Sequence, residues 1–526
     1  VTRDSVEGPL AARILDALLR EDYGGLRSRV APDGRALVLP TRRVRLTAPE
    51  TPFLSAVAVD PGQALRLGDV FRAVRAVADP RDDVDAFERE CRDALTVIRL
   101  HEDARPAVLR RLARIPDALR VGPGVFYEAL AAYNDHPVHP MGRSRTGLSM
   151  ADVSRYAPEF AQSFPLRWAA VRDATRVGEH PAWWPGPSEV GLRGDEPLFP
   201  VHPLAVPHVR DEPGAFLAPD PYLQVTPTLS MRTVTAGPRC HVKVPLPTST
   251  LGLRNRRTIV PGTLPDGALV ERLLRRVLER EDLPVLLADE QTYGHADSPL
   301  LAYLVRRFPP ETERAHIVPV AALLAEAPEG GHVIERWDVE ALFGDYLSAL
   351  FSWNVTLFGY GIALEAHQQN VALVLDDGAP LRLLVKDNDG ALIDTGVLGS
   401  RLAPSAGTDP RDLIDRRMTT RDPDALARVF VTITLHLCAA APAFGLAERG
   451  LLPLRTGLGL VRDRLDAALG AGHGFLRSRT LDAAALPGKA MLTAGTLVDK
   501  ARTGAADINK HYGPSGPNYL RDTTCC

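Results

Sequence analysis

The residues best suited to chemistry gather in Gly361–Gly390, G-I-A-L-E-A-H-Q-Q-N-V-A-L-V-L-D-D-G-A-P-L-R-L-L-V-K-D-N-D-G. The stretch holds Glu365, His367, Asn370, Asp387 and Asp389. Carboxylates and an amide brought together beside a rigid element make a hard oxygen site, the kind that holds Mg with phosphate oxygens. Whether they meet depends on the fold between them. Two apolar runs, Val371–Leu375 and Leu381–Val385, flank Asp-Asp-Gly-Ala-Pro, which predicts a β-hairpin centred near Gly378. That register sets Asn370 beside Lys386 and Gln369 beside Asp387. Glu365, His367 and Asn370 then share the open end with Asp387 and Asp389. The plainer alternative is a hairpin with solvated charged ends. His-Gln-Gln-Asn beside an apolar run has no packing purpose and speaks against it.

A second set of residues suits anions. N-D-H-P-V-H-P-M-G-R-S-R-T-G places His136, His139, Arg143 and Arg145 on a segment that Pro137 and Pro140 keep out of helix. Converging imidazoles and guanidiniums bind anions. His-x-x-His without a third ligand nearby is a weak zinc signal. Further on, P-T-L-S-M-R-T offers Ser230, Arg232 and Thr233, two hydroxyls around a guanidinium, which suit a phosphate chain. Then H-V-K-V-P-L-P-T-S-T-L-G-L-R-N-R-R adds Lys243, Thr250, Arg254, Arg256 and Arg257. Alternation over His241–Leu246 predicts a strand that turns His241 and Lys243 to one face. Each could be a surface charge alone; their density favours anion binding.

The chain that must position these groups has 526 residues, enough for two or three domains. Hydrophobic residues make up 45%, and the net charge of −3 is spread in both signs, so neither nucleic acid nor a membrane is indicated as partner. Five cysteines without C-x-x-C point to neither a disulfide framework nor structural zinc, and fit a reducing cytoplasm. Val1–Tyr23 lacks the apolar centre of a signal peptide. Tyr346–Leu364 and Val429–Ala447 read as buried helices rather than membrane spans.

Helical period appears over Leu10–Leu19, Arg72–Ala78, Asp83–Leu100 and Arg105–Leu119, with a strand pair over Ala36–Leu46. Asp152–Phe160 is helix-like, and helical period returns from Gly267 to Arg280, with strand-like pieces at Pro284–Ala288 and Ile317–Pro319. After the hairpin, helices are expected from Asp409 to about Arg417, over Asp422–Leu446 and over Leu458–Leu469. The segment from Lys489 to Cys526 is expected to be partly mobile.

In this order the motifs resemble the siderophore synthetases that work without a peptide-synthetase template, the aerobactin-synthetase-like (IucA/IucC) family. The matching pieces are H-P-V-H-P with its basic residue and R-x-G, Y-A-P-E-F, His202-Pro203, S-M-R-T, H-V-K-V-P-L with a downstream Arg, E-A-H-Q-Q-N, K-D-N-D-G, and K-A-M-L-T at Lys489–Thr493. Departures fall at Arg143, Leu204, Ala205 and Lys386. The resemblance implies an α/β (α+β) fold of hand-like form with antiparallel sheets and a helical C-terminal region. Its parts would be a thumb at 1–133, fingers at 134–318 and a palm at 319–526. It also implies a homodimer, and a reaction in which ATP activates a carboxylate, typically citrate, as an acyl-adenylate that an amine or hydroxyl then attacks. By position, Ser230, Arg232, Thr233 and Lys243 would hold ATP with His139 near the phosphates. Glu365, Asn370 and Asp387 would bind Mg, and Thr250, Arg254 and His367 the carboxylate substrate; His139, Arg254 and His367 are the residues closest to the chemistry. Two other readings are open: a small-molecule kinase, from the Glu365/Asn370/Asp387 layout, and a non-catalytic polycarboxylate-binding protein.

Overall fold

The computed structural model of the chain describes residues 5–40, 42–504 and 511–521. Helix Glu7–Arg20 buries Leu10, Ile14, Leu15 and Leu18 along one stripe, as its spacing requires. The hairpin Ala36–Val38 with Arg43–Thr47 pairs Leu37 with Val44. Helix Val84–Leu112 starts at Asp83, whose carboxylate accepts from Ala86 N at 3.1 Å. The sequence predicts a break near 105, yet this helix runs on through Pro106. Its first half packs Phe87, Cys91 and Ile98 in the N-terminal core, whereas Val108 and Leu112 join the large C-terminal core. Two cores hold one helix continuous where local preference would end it.

The middle of the chain builds a five-stranded antiparallel sheet, in the order Thr233–Thr235, Cys240–Lys243, Ser298–Arg307, Asp289–Ala296 and Thr175–Val177. The next sheet sets Val285–Leu287, Arg382–Val385, Val371–Leu375 and His316–Pro319 side by side, antiparallel except for the first pair. Its central hairpin pairs Val371 with Val385 and Leu373 with Leu383, and Lys386 N donates to Asn370 O at 3.1 Å. This is the register expected from a turn at Gly378. Helix Val339–Gly359 and the helical run Pro423–Glu448 pack in the same core. That run is the one described helix apolar and long enough to cross a membrane, and most of it is buried inside the structure.

The fold is thus a mixture of helices and mainly antiparallel sheets, with a helical C-terminal part. Its cores cross the sequence positions 133 and 318: the N-terminal core takes in Met141, Leu492 and Leu497, and the largest one reaches from Leu54 to Leu520. A further expectation fails. No continuous helix spans Asp409–Arg417; short turns at Pro410–Asp412 and Arg416–Met418 stand there instead. The buried Asp266 carboxylate accepts from Ile414 N at 2.7 Å and Asp415 N at 2.9 Å, so these amides bond outside any helix. In the described part of the segment after Lys489, Tyr512–Pro517 pairs with Ala485–Lys489 and Tyr519 is buried. Residues 505–510 and 522–526, which include Cys525 and Cys526, lie outside the described residues.

One ion pair ties the hairpin to the rest. Lys386 Nζ meets Glu128 Oε1 at 2.7 Å, and both side chains are buried. Removing one partner of such a pair leaves an uncompensated charge and costs about 3–5 kcal/mol. Lys386→Met is expected to lower the unfolding free energy in urea by that amount, and adding Glu128→Leu to recover part of it. An unchanged midpoint for the single variant would contradict a desolvated pair.

Candidate active site

A cavity of about 330 Å³ opens at the end of the hairpin. The hairpin's entry segment is folded by short backbone bonds: Glu365 N donates to Gly390 O at 2.7 Å, His367 N to Glu365 O at 2.9 Å, and Asn370 N to His367 O at 2.8 Å. Three lining residues, Met231, Leu251 and Asp387, have φ of +62°, +58° and +69°. Side chains rarely adopt that conformation, and such strain collects at functional sites.

Asp387 is the electrostatic centre. Its Oδ1 accepts from Lys243 Nζ at 2.6 Å and from Arg306 Nη2 at 3.1 Å, while Lys243 also donates to Asp389 at 3.1 Å. Burial opposes its charge, but Lys243, Arg306 and Arg232 outweigh that and hold its carboxyl well below the usual range. Glu290 fixes the turn: its two carboxylate oxygens accept from Asp387 N at 2.9 Å and Asn388 N at 3.2 Å, and Arg306 Nε reaches it at 2.5 Å. Glu128, already paired with Lys386, accepts from Leu229 N at 3.0 Å and so also fixes the start of the S-M-R-T loop. In that loop Arg232 donates to Thr258 O at 2.6 Å, and Ser230 donates to Thr233 Oγ1 at 3.1 Å.

Of the residues singled out from sequence, Ser230, Arg232, Thr250, Glu365, His367, Asn370 and Asp387 line this one cavity. Four do not. Lys243 stands behind Asp387, and Thr233 is buried behind Ser230. His139 is buried off the cavity, its Nδ1 accepting from Met141 N at 3.3 Å, and burial pushes its pKa down to about 3. His136 occupies the lining position instead. Arg254 is exposed, and its Nη1 donates to Ala494 O at 3.0 Å. Arg145, Arg257 and Asp389, named from sequence only within the anion-binding and carboxylate clusters, also line the cavity; no role was assigned to Lys489, which lines it too, nor to Arg306 and Glu290 beneath it. Lys489 had a signal in K-A-M-L-T; Arg306 and Glu290 sit in ordinary alternating strands and had none.

The cavity favours anions. The Nε atoms of Arg145, Arg232 and Arg257 are buried without a hydrogen-bond partner; Arg145 is otherwise paired with Glu159 and Arg232 with Thr258 O, which leaves Arg257 as the guanidinium with a donor set open to a ligand or water. Its imidazoles are neutral: burial drives His136 well below its ordinary pKa and takes His367 down to about 4 against the pull of Asp387. Among the described residues no three His, Cys, Asp or Glu side chains form a ready metal site. Glu365, Asn370 and Asp387 nonetheless all line the cavity, and their oxygen donors are of the right kind for a Mg ion arriving with phosphate.

The loop Thr248–Arg257 is held from outside by the segment Lys489–Leu497. Leu253 N donates to Thr496 Oγ1 at 3.0 Å, and Arg254 N to Gly495 O at 3.1 Å. Two buried carboxylates of the N-terminal core hold that segment in turn. Glu21 accepts from Leu492 N, Thr493 N and Thr493 Oγ1 at 3.1, 2.7 and 2.6 Å, and Glu90 accepts from Thr496 Oγ1 at 2.5 Å.

Two family models match parts of the chain. The model of the IucA / IucC family matches residues 124–325, and that of the Ferric iron reductase FhuF-like transporter matches residues 339–504. Staphyloferrin B synthase of Staphylococcus aureus (strain NCTC 8325 / PS 47) is 25% identical over 431 residues, covering 72% of this chain and 74% of that protein. The rhizobactin siderophore biosynthesis protein RhbC of Rhizobium meliloti (strain 1021) is 27% identical over 419 residues, covering 65% of this chain and 66% of that protein. Across such curated relatives the chain matches between half and three quarters of their length. The structure of ATP-bound aerobactin synthetase IucA from a hypervirulent pathotype of Klebsiella pneumoniae superposes with a TM-score of 0.73 at 17% identity, covering 98% of this chain and all of that one.

Glu90 gives a pH test of the support beneath the loop. Burial raises its carboxyl to about 7, against the downward pull of bonds from Thr496 and Gly252 N. A carboxyl raised on folding contributes stability that is full below its unfolded pKa and is lost as pH rises through the folded one. Stability should therefore fall between about pH 4.5 and 7, by on the order of 3 kcal/mol from this group. Glu90→Gln should flatten that fall in urea titrations across the window; an unaltered pH profile would show that Glu90 is not the group responsible.

Proposed function

The chain belongs to the IucA/IucC family, and from that premise we propose that it is an ATP-dependent siderophore synthetase joining a carboxyl group of a small polycarboxylic acid, citrate before others, to an amine or hydroxyl. The observation that carries the proposal is the cavity itself. Guanidiniums line it together with carboxylates and an amide, and the Arg257 guanidinium has no partner among the described residues, as a place for anionic substrates requires.

The chemistry follows from the charges. A carboxylate oxygen of the acid attacks the α-phosphorus of ATP, the bond to the β-phosphate oxygen breaks, and pyrophosphate leaves. The amine nitrogen or hydroxyl oxygen then attacks the acyl carbon, loses a proton, and displaces AMP. Ser230 and Arg232 bind the phosphates, with Thr233 orienting Ser230 and Lys243 setting the position and charge of Asp387. Thr250 and the neutral imidazole of His367 bind the acid, the imidazole taking its hydroxyl or a carboxyl group. His136, rather than His139, is the imidazole that meets substrate. Magnesium, when bound, supplies charge for the leaving pyrophosphate, and Glu365, Asn370 and Asp387 would hold it. No covalent nucleophile is required. A homodimeric state, which rests on the resemblance, and a cytoplasmic setting, which rests on the cysteine usage, belong to the same proposal.

The nucleotide product tests it. With ATP, Mg and a panel of citrate, succinyl-hydroxamate and 2-oxoglutarate, each with amines, AMP and pyrophosphate are expected. ADP would mean a kinase, and no turnover a binding protein. Arg232→Lys keeps the charge and loses the fork, which costs about one to two decades of turnover. Wild-type rates in that variant would take Arg232 out of the phosphate site.

A further inference from the structure

Arg254 and Arg257 lie three positions apart, and only one of them faces the cavity. At Arg257 the backbone is fixed from both sides: its N–H donates to Thr248 O at 2.9 Å, and its carbonyl accepts from Leu246 N at 3.0 Å. From that anchored ribbon the guanidinium enters the cavity, with Nε buried and unpartnered. No hydrogen bond or ion pair links it to another described residue. Burial first, then Arg232, pushes its pKa down to about 9, so it stays cationic at neutral pH. Asp387 and Asp389 act on it only through space. An unmatched buried cation is unfavourable unless an anion completes the site. Arg257 and Lys489 are also the cations that act most strongly on His367, the residue assigned above to the acid.

Arg254 is committed elsewhere. Its guanidinium donates to Ala494 O at 3.0 Å and its N–H to Gly495 O at 3.1 Å. Beside it the chain has no slack, since Gly252, at φ +108°, packs so closely on Gly495 that a Cβ there would lie 2.5 Å from Gly495 Cα. A rotation that brought Arg254 into the cavity would have to break this seam.

We propose that Arg257, and not Arg254, is the guanidinium that forks onto a carboxylate of the acid substrate, while Arg254 pins the loop to Lys489–Leu497. The proposal rests on the synthetase reading above for the identity of the acid. It differs from the family-based assignment, in which Arg254 has that role.

Charge-conserving variants decide between the two arginines. Arg257→Lys should raise KM for citrate about tenfold, and Arg257→Gln about a hundredfold, with KM for ATP within about twofold of wild type. Arg254→Lys can still donate to Ala494 O and should leave both KM values within about twofold. A selective rise in citrate KM for Arg254→Lys would overturn the proposal. So would a rise in KM for ATP alone in the Arg257 variants, which would make Arg257 a phosphate contact, or unchanged kinetics in them. Binding without turnover separates this site from the reaction. Millimolar citrate should raise the melting temperature of the full-length wild type and of Arg254→Lys, but not of Arg257→Gln or, if that variant does not fold, much less of Arg257→Lys. Citrate stabilisation through Arg257 in a protein that releases no pyrophosphate would remove the synthetase reading and keep the site. A wild type that citrate does not stabilise overturns the site.

Discussion

The turn Lys386-Asp387-Asn388-Asp389 holds its place because each of its buried charges is answered from another element. Lys386 meets Glu128, Asp387 meets Lys243 and Arg306, and the amides of Asp387 and Asn388 meet Glu290. Buried pairs of this kind add little net stability over apolar packing, yet losing one member is expensive. Their consequence here is geometric. The partners come from helix Phe126–Ala131 and from three strands of the five-stranded sheet, so the hairpin end, the S-M-R-T loop and that sheet can meet in one arrangement only. Dipoles and charges fixed before substrate arrives need no reorganisation during reaction, which is where electrostatic catalysis gains most.

That arrangement decides the character of the cavity. Lys243 and Arg306 already answer Asp387, Glu159 answers Arg145 and Thr258 O takes a bond from Arg232, so the Arg257 guanidinium is left to face an anion of the substrates. Burial keeps His136 and His367 neutral, so they can serve as hydrogen-bonding groups without adding charge. The support extends away from the cavity through Lys489–Leu497 to Glu21 and Glu90, two carboxylates of the N-terminal core. The N-terminal third contributes no lining residue before Ala131, yet it sets where the basic loop stands.

The hairpin was legible in the sequence because alternation and an Asp-Asp-Gly turn fix a register, and the register places Asn370 against Lys386. Local period also located helices Glu7–Arg20 and Leu454–Leu469. What failed was decided by distant partners. Period separates Asp83–Leu100 from Arg105–Leu119, but packing in two cores joins them into one helix to Leu112, through Pro106. Asp409–Arg417 has a good cap and a proline behind it, but a carboxylate over a hundred positions earlier captures its amides. Arg306 and Glu290 reach Asp387 only through strand order, which no local pattern encodes. In the loop Thr248–Arg257 no period of two or 3.6 fixes side-chain direction, so sequence order could not tell Arg254 from Arg257.

The account's central claim is that the cavity joins a carboxylate oxygen to the α-phosphorus of ATP. The most direct measurement uses citrate labelled with 18O in its carboxyl groups, incubated with the protein, ATP, Mg and an acceptor amine, followed by mass spectrometry of the nucleotide. AMP carrying one 18O atom from citrate is the predicted result. Unlabelled AMP, or ADP with the label in inorganic phosphate, would contradict it.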